Sequence, residues 1–160
     1  KMIYSGPDGP SRAMLLSSST GRVYFTPKQL DGPLMRFDAS SGKPPQMIDG
    51  TINIRAATAE TPQGLIYAVS FGKKDVGSTL YAFDVKTEKI EVLGPAAVGV
   101  NQYIAAIAAD PTGRYLYYVP GAHGGSEADN SVIVQYDTRL RRKKVIACLH
   151  PHFKDKYGAT

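Results

Sequence analysis

One glycine-rich segment brings together side chains that are able to do chemistry. Residues 121–130 read Gly-Ala-His-Gly-Gly-Ser-Glu-Ala-Asp-Asn, so His123 is followed closely by Glu127 and Asp129. An imidazole beside two carboxylates can bind a divalent metal ion, or it can exchange protons as a general acid and base. The spacing matches no specific metal motif, and a hydrated surface loop explains the same composition. Both interpretations stay open.

Two further histidines lie near the end of the chain, in the sequence His150-Pro151-His152. Alternate side chains of an extended strand point to the same side, so these two imidazoles could bind one metal ion. No third ligand can be identified beside them, and a polar connecting segment is the alternative. The candidate metal ligands are therefore His123, His150 and His152, and the candidate ions are Ca²⁺, Mg²⁺, Mn²⁺ and Zn²⁺.

Motifs that would identify a reaction are absent from the sequence. It contains no phosphate-binding P-loop, no G-x-S-x-G nucleophile elbow, no H-E-x-x-H helix and no paired-cysteine zinc site. The residues alone therefore leave open whether the chain is a catalyst or a binding protein.

The elements that must position these residues are predicted by a repeat. The stretch 64–94 contains two short runs of aromatic and β-branched residues and a third, alternating run, separated by turn residues, which is the pattern of strands and hairpins. Two anchors recur in three copies at spacings of about 43 to 53 residues, which suits a four-stranded sheet in each copy. The anchors are a glycine shortly before a tyrosine, at Gly21, Gly64 and Gly113, and an aromatic-Asp pair, at Phe37-Asp38, Phe83-Asp84 and Tyr136-Asp137.

A run rich in small residues precedes each of these glycines, at 12–18, 54–59 and 104–109. Alanine favours helices, but the runs are about six residues long, end in turns and recur in phase with the predicted strands. Small side chains suit the innermost strands of sheets that converge on an axis. We therefore predict that each run is the inner strand of its sheet.

Two details of the repeats predict local structure. The run 80–85 is apolar on both faces, which indicates a strand that is covered from both sides. The Asp of each aromatic-Asp pair is followed by a polar turn, and its carboxylate is expected to accept a hydrogen bond from the backbone two residues further on.

The repeat resembles the blades of β-propellers in the broad group that includes PQQ-like, NHL and gluconolactonase-like (SMP-30) proteins. The shared pattern is G-x-[VIL]-Y, a gap, L-Y-x-F-D-x-x-T-x-K and a short alternating strand, and it covers about residues 12 to 149. The chain has no tryptophan, so it lacks the tryptophan-docking motif of quinoprotein propellers and the Trp-Asp repeat signature. The resemblance implies an all-β fold of about three four-stranded antiparallel blades that are part of a larger β-propeller.

We accordingly predict one partial propeller domain over residues 1–160. Closed propellers have about 4 to 8 blades, so three blades leave two faces without a neighbour. The expected partner is either the remaining blades of a longer chain or a second chain that completes the ring. The blades are expected at about 12–50, 51–96 and 97–149, with 150–160 as the crossover to a further blade.

The resemblance also implies where a ligand binds, because such propellers bind ligands on one face of the ring. That face is formed by the loops between second and third strands and by the crossovers to the next inner strand. The preferred function is a propeller scaffold that binds a protein, a glycan or a small ligand there, and the alternative is a metal-assisted hydrolase, lactonase or lyase that shares its site with further blades. The residues predicted to bind are His123, Glu127, Asp129, Asn101, Gln102, Lys73 and Lys74.

The charge of the chain is a mild excess of 19 basic over 14 acidic residues. Much of it falls at 139–144, around one predicted hairpin turn, and indicates a solvated turn or, alternatively, a contact with an acidic partner or an anionic polysaccharide. We expect no nucleic-acid partner, since that would need a broader basic face with interleaved aromatic residues.

The remaining composition limits covalent and membrane chemistry. The single Cys148 cannot form a disulfide within the chain, and we expect it to be a small buried hydrophobic residue. No apolar run approaches the ~18 residues of a membrane helix, so no membrane span is expected. We expect the protein to be extracellular or periplasmic.

Overall fold

A computed structural model describes residues 14–27, 32–71, 77–98, 103–121 and 132–148. Within these ranges the chain forms twelve strands and no helix. A helix of the length and hydropathy that crossing a membrane requires is therefore not found in this part of the chain. The strands form three separate antiparallel sheets of four, and in each sheet the strands are neighbours in chain order. The predicted all-β fold of three four-stranded blades is confirmed.

The sheets are called blades 1, 2 and 3. Blade 1 contains β1 (Met14–Leu16), β2 (Arg22–Phe25), β3 (Met35–Asp38) and β4 (Gln46–Met47). Blade 2 contains β5 (Ile54–Ala57), β6 (Leu65–Ser70), β7 (Thr79–Asp84) and β8 (Lys89–Pro95). Blade 3 contains β9 (Tyr103–Ala109), β10 (Tyr115–Gly121), β11 (Val132–Asp137) and β12 (Arg142–Cys148).

The runs of small residues form the first strand of each blade. The alanine-rich run before Gly113 is the extended strand β9, not a helix. Strand β5 contacts both β1 and β9, so the first strands of the three blades converge. Small side chains permit this close approach, which is why strand pairing overrides the helical propensity of alanine here.

The turns that follow the aromatic-Asp pairs are built as predicted. A carboxylate oxygen accepts a backbone hydrogen bond from the residue two positions on in each blade, at 3.0 Å for Asp38, 2.8 Å for Asp84 and 2.9 Å for Asp137. The fourth residue after each Asp has a positive φ, of 63° at Gly42, 57° at Glu88 and 54° at Arg141. Three equivalent hairpins therefore join the third and fourth strands.

The core consists of two layers between the blades. One layer contains buried side chains of blades 1 and 2, and the other contains buried side chains of blades 2 and 3. Strand β7 contributes to both, with Leu80 and Ala82 on the blade 3 side and Phe83 on the blade 1 side. The Phe83 ring meets Tyr24 edge to face at 4.6 Å between centroids. The prediction that this strand is covered from both sides is confirmed.

The prediction that Cys148 is buried is wrong. Its side chain is exposed at the end of β12, where Cys148 pairs with Val132. The reason is that β12 is the outermost strand of blade 3, and Val145 and Ile146 on the same strand are exposed as well. An apolar sequence therefore did not imply burial at this edge.

Candidate functional site

The residues predicted to do chemistry lie outside the described part of the chain. The strand ends that flank their segments are described, and they share one end of the blades. In blade 3 this end is formed by the pair Tyr103 and Gly121, and in blade 2 by Ile54 and Ser70. The predictions made for these side chains therefore stay predictions. They concern His123, Glu127, Asp129, Asn101, Gln102, Lys73, Lys74, His150 and His152.

Arg55 lies at this same end, on the innermost strand of blade 2. Ile54 pairs with Ser70 and Ala56 pairs with Val69, so Arg55 is an extra residue in β5 that has no partner of its own in β6. Such a β-bulge turns a side chain out of the regular alternation of the strand and is frequent beside functional sites. The bulge explains how an arginine is placed among the small residues of an inner strand.

The guanidinium of Arg55 stacks on an aromatic ring. Its Cζ atom is 5.0 Å from the centroid of the Phe71 ring, which is within the range of a cation–π interaction. Phe71 directly follows β6, and its backbone N–H donates a 3.1 Å hydrogen bond to the carbonyl oxygen of Asn53. The Phe71 ring therefore holds one face of the guanidinium.

Two polar atoms next to this ring are buried without a hydrogen-bond partner. They are the Nε of Arg55 and the side-chain oxygen Oδ1 of Asn53. A buried polar group without a partner costs about 1 to 3 kcal/mol, so it calls for an explanation. One of these atoms carries a hydrogen to donate and belongs to a cation, and the other accepts. Together they can bind a ligand that has an anionic oxygen and a hydroxyl group.

A third buried atom of this kind, the hydroxyl of Tyr136, belongs to the core between blades 2 and 3. It therefore offers no second ligand contact at the strand end that carries Arg55.

Sequence reasoning did not select Arg55. The residue was counted as part of a run of small side chains, where it is the only charged residue. That exception was the available signal, because a long cation among alanines does not fit the taper of an inner strand. The bulge itself follows from pairing with β6 and has no motif in the sequence.

An open cleft of about 530 Å³ lies at the opposite end, where the turns between first and second strands meet. Glu60 is its most heavily bonded residue. The carboxylate accepts hydrogen bonds from the hydroxyls of Ser17, Ser18 and Ser19 at 2.9, 3.4 and 2.6 Å, and from the backbone of Ser19 at 3.1 Å. The cleft is lined by Ser18, Ser19, Ala59, Glu60, Thr61, Pro62, Ala109, Asp110 and Pro111.

The carboxylates of this cleft are occupied by the protein itself. Burial acts to raise the pKa of Glu60, but the hydrogen bonds from the serines outweigh it, and the pKa lies below its ordinary value. The pKa of Asp110 is also lowered, first by the hydroxyl of Thr112 and then by the backbone N–H of Tyr115. Glu60 therefore joins blade 1 to blade 2, and Asp110 shapes its own turn.

Metal ligation gains no support from the described residues. Over the five ranges that the structure describes, no group of three or more His, Cys, Asp and Glu side chains is arranged to hold a metal ion. The metal-assisted alternative therefore depends on His123, His150 and His152, which lie outside these ranges.

Comparison with known proteins identifies the fold. No protein-family model and no curated protein matches the sequence. Solved structures of β-propeller proteins do match, and their identities of 15 to 18% show a shared fold alone. The chain covers 13 to 35% of the length of the three structures described below.

The tricorn protease matches with a TM-score of 0.59 at 17% identity, over 87% of this chain and 13% of its own. An auxiliary nutrient binding protein from Bacteroides thetaiotaomicron matches with a TM-score of 0.57 at 18% identity, over 91% and 33%. TolB from Acinetobacter baumannii matches with a TM-score of 0.55 at 15% identity, over 92% and 35%. The three sheets are therefore β-propeller blades, and the finer resemblance to PQQ-like, NHL or gluconolactonase-like propellers stays a prediction.

Proposed function

We propose that this chain is a ligand-binding portion of a β-propeller and that its ligand contacts Arg55 and Asn53. The observation that carries the proposal is the pair of buried, unpartnered polar atoms beside the Phe71 ring, Arg55 Nε and Asn53 Oδ1. The strand pairing places them at the end of the blades from which the segments with the predicted binding residues extend.

The ligand class follows from the chemistry of these atoms. A guanidinium that is packed on one face and keeps a free N–H favours a carboxylate or a phosphate, and an amide oxygen accepts from a hydroxyl. A hydroxylated anion, such as an acidic sugar or a fragment of an acidic glycan, satisfies both. Similar structures include an auxiliary nutrient binding protein and a puromycin hydrolase, so propellers with these names include a binder and an enzyme. The expected extracellular or periplasmic location stays a prediction.

Isothermal titration calorimetry with glucuronate tests the proposal, with glucose and acetate as probes that lack the charge or the hydroxyls. We expect saturable binding of glucuronate and much weaker binding of the other two. Arg55→Met keeps much of the apolar packing on Phe71 and removes the charge, so it should weaken binding about 10- to 100-fold. Asn53→Ala should weaken it about 3- to 10-fold, because a neutral hydrogen bond is lost.

Arg114 provides a matched control. Its guanidinium also stacks on an aromatic ring, that of Tyr115 at 4.9 Å, but it is already paired with Asp137 at 3.0 Å. Arg114→Met should leave glucuronate binding unchanged. Absence of saturable glucuronate binding, or equal losses in the Arg55 and Arg114 variants, would overturn the proposal.

A further inference from the structure

The outer face of blade 1 carries a continuous apolar row. Met14 pairs with Phe25, Phe25 with Met35, and Met35 with Met47, so one residue from each of the four strands lies in register. Side chains of paired residues project from the same face of a sheet. Leu16 and Val23 pair on the same face, two residues further along. These six residues are called the methionine face.

The methionine face is exposed at its edges. Met14 is 54% and Met47 is 70% exposed, and Leu16 is exposed as well. The other side of the same sheet behaves differently, because Leu15 and Tyr24 are fully buried against blade 2. Contiguous apolar surface of this kind marks an interaction site.

The equivalent rows of the other two blades are covered by the preceding blade. In blade 2 the row is Ala57, Ala68, Tyr81 and Val92, and its Ala68 is buried in the layer shared with blade 1. In blade 3 the row is Ile107, Tyr118, Val134 and Val145, and Tyr118 and Val134 are buried in the layer shared with blade 2. The methionine face therefore has the position and the composition of a surface that receives another blade.

The opposite end of the stack presents the surface that such a face receives. Tyr24 of blade 1 and Tyr67 of blade 2 are at equivalent positions of their second strands and are buried against the following blade. Tyr117 is the equivalent residue of blade 3. Its hydroxyl accepts a 2.8 Å hydrogen bond from Gln135 of its own blade. We call Tyr117 and its cross-strand neighbours Ala108, Gln135 and Lys144 the tyrosine face.

We propose that the methionine face of one copy of this chain packs against the tyrosine face of a second copy, and that two such contacts close a ring of six blades. The chain carries both halves of the blade-to-blade interface, so two copies satisfy both faces of each. Head-to-tail contacts of this kind form closed rings when the rotation permits, and six blades fall within the usual range of about 4 to 8.

The new contact is expected to be mainly apolar. At the two existing junctions, the positive-φ residue of the hairpin supplies a charge to the neighbouring blade, through Glu88 and Arg141. The equivalent residue of blade 1 is Gly42, which has no side chain to pair. Dimer formation should therefore depend on burial of the methionines and resist high salt.

Light scattering coupled to size exclusion tests the proposal on the whole chain. We expect a particle of twice the chain mass. The double substitution Met14→Glu with Met47→Glu should give a folded monomer, because both side chains are exposed within one copy. Val92→Glu is the matched control, since Val92 holds the position of Met47 in blade 2 and is 63% exposed on a face that already has its neighbour. This control should remain dimeric.

Mixing two variants sharpens the test. Tyr117→Glu should also be monomeric by itself, because it damages the other half of the interface. A mixture of Tyr117→Glu with the double methionine variant keeps one intact contact, between the normal tyrosine face of one and the normal methionine face of the other. It should therefore yield a dimer that neither variant forms alone. A monomeric wild-type chain, a dimer that survives the methionine substitutions, or growth into larger open assemblies would each overturn the proposal.

Discussion

The hydroxyl of Tyr24 in blade 1 donates a 2.9 Å hydrogen bond to the carboxylate of Glu88 in blade 2. The same carboxylate accepts from Arg22 at 3.3 Å and from Arg36 at 2.9 Å, both in blade 1. Glu88 is also the positive-φ residue of the hairpin between β7 and β8. A residue that shapes a turn in one blade is thus the main polar contact to the blade before it.

Glu88→Gln should destabilise the protein by about 1 to 2 kcal/mol, because two arginines lose their charged partner while the shape is retained. The free energy of unfolding from urea denaturation measures this effect. Glu91→Gln is the control, since Glu91 pairs at 2.6 Å with Arg141 in a much more exposed position. Its cost should stay below about 0.5 kcal/mol. Equal costs would contradict the assignment of Glu88 as the principal link.

Ionisation of Tyr24 should weaken the fold at high pH. Burial, and then the hydrogen bond to Glu88, raise the pKa of Tyr24 from 10.0 to about 12. A group with a raised pKa in the folded state contributes stability that is complete below its unfolded pKa and is lost as the pH rises through its folded pKa. Wild type should therefore lose stability relative to Tyr24→Phe between pH 10 and 12. Urea midpoints of both proteins at about pH 8 and about pH 11 give the comparison; a constant difference would disprove it.

Glu60 should make the junction of blades 1 and 2 sensitive to acid. Its lowered pKa means that its contribution is complete above the unfolded value of 4.5 and is lost as the pH falls through the folded value. Glu60→Gln should cost about 1 kcal/mol at neutral pH, and the gap to wild type should close in acid. Melting temperatures across the acidic range test this, and a gap that does not change with pH would show that the charge of Glu60 is unimportant.

Gly113 is required by its neighbours as well as by its backbone. Its φ is 71°, and a Cβ there would lie 2.8 Å from Cβ of Thr61 in blade 2 and would also meet the side chain of Gln63. Gly64 has a similar φ of 75°, but a Cβ there would only touch Val85 at 3.6 Å. Gly64→Ala should cost about 1 to 2 kcal/mol for the backbone alone, and Gly113→Ala about 1 to 3 kcal/mol more. Similar unfolding free energies for the two variants would mean that the turns are not in contact.

The strands and their stacking were predictable because each blade repeats the same local signals. Gly21, Gly64 and Gly113 all have positive φ values, and the Asp of each aromatic-Asp pair caps its turn, so local sequence and overall fold agree at these positions. The burial of β7 on both sides followed from its two apolar faces.

Features that depend on a neighbouring blade were not predictable in this way. The role of Arg55 follows from a bulge against β6, and the bonding of Glu60 follows from serines more than 40 positions earlier in the chain. Cys148 was expected to be buried because it follows an apolar run, but its exposure is decided by the lack of a neighbour beside β12 in the described chain. Position in the stack, which local sequence does not encode, decides all three.

The most direct test of the proposed ligand site is the side-chain Nε–H resonance of Arg55 in a ¹⁵N NMR titration with glucuronate. Binding at this atom predicts a saturable shift of the Arg55 resonance, at concentrations that match the calorimetric affinity, while the resonance of Arg114 stays in place. An Arg55 resonance that does not move while glucuronate binds, or that moves only as much as that of Arg114, would contradict the account.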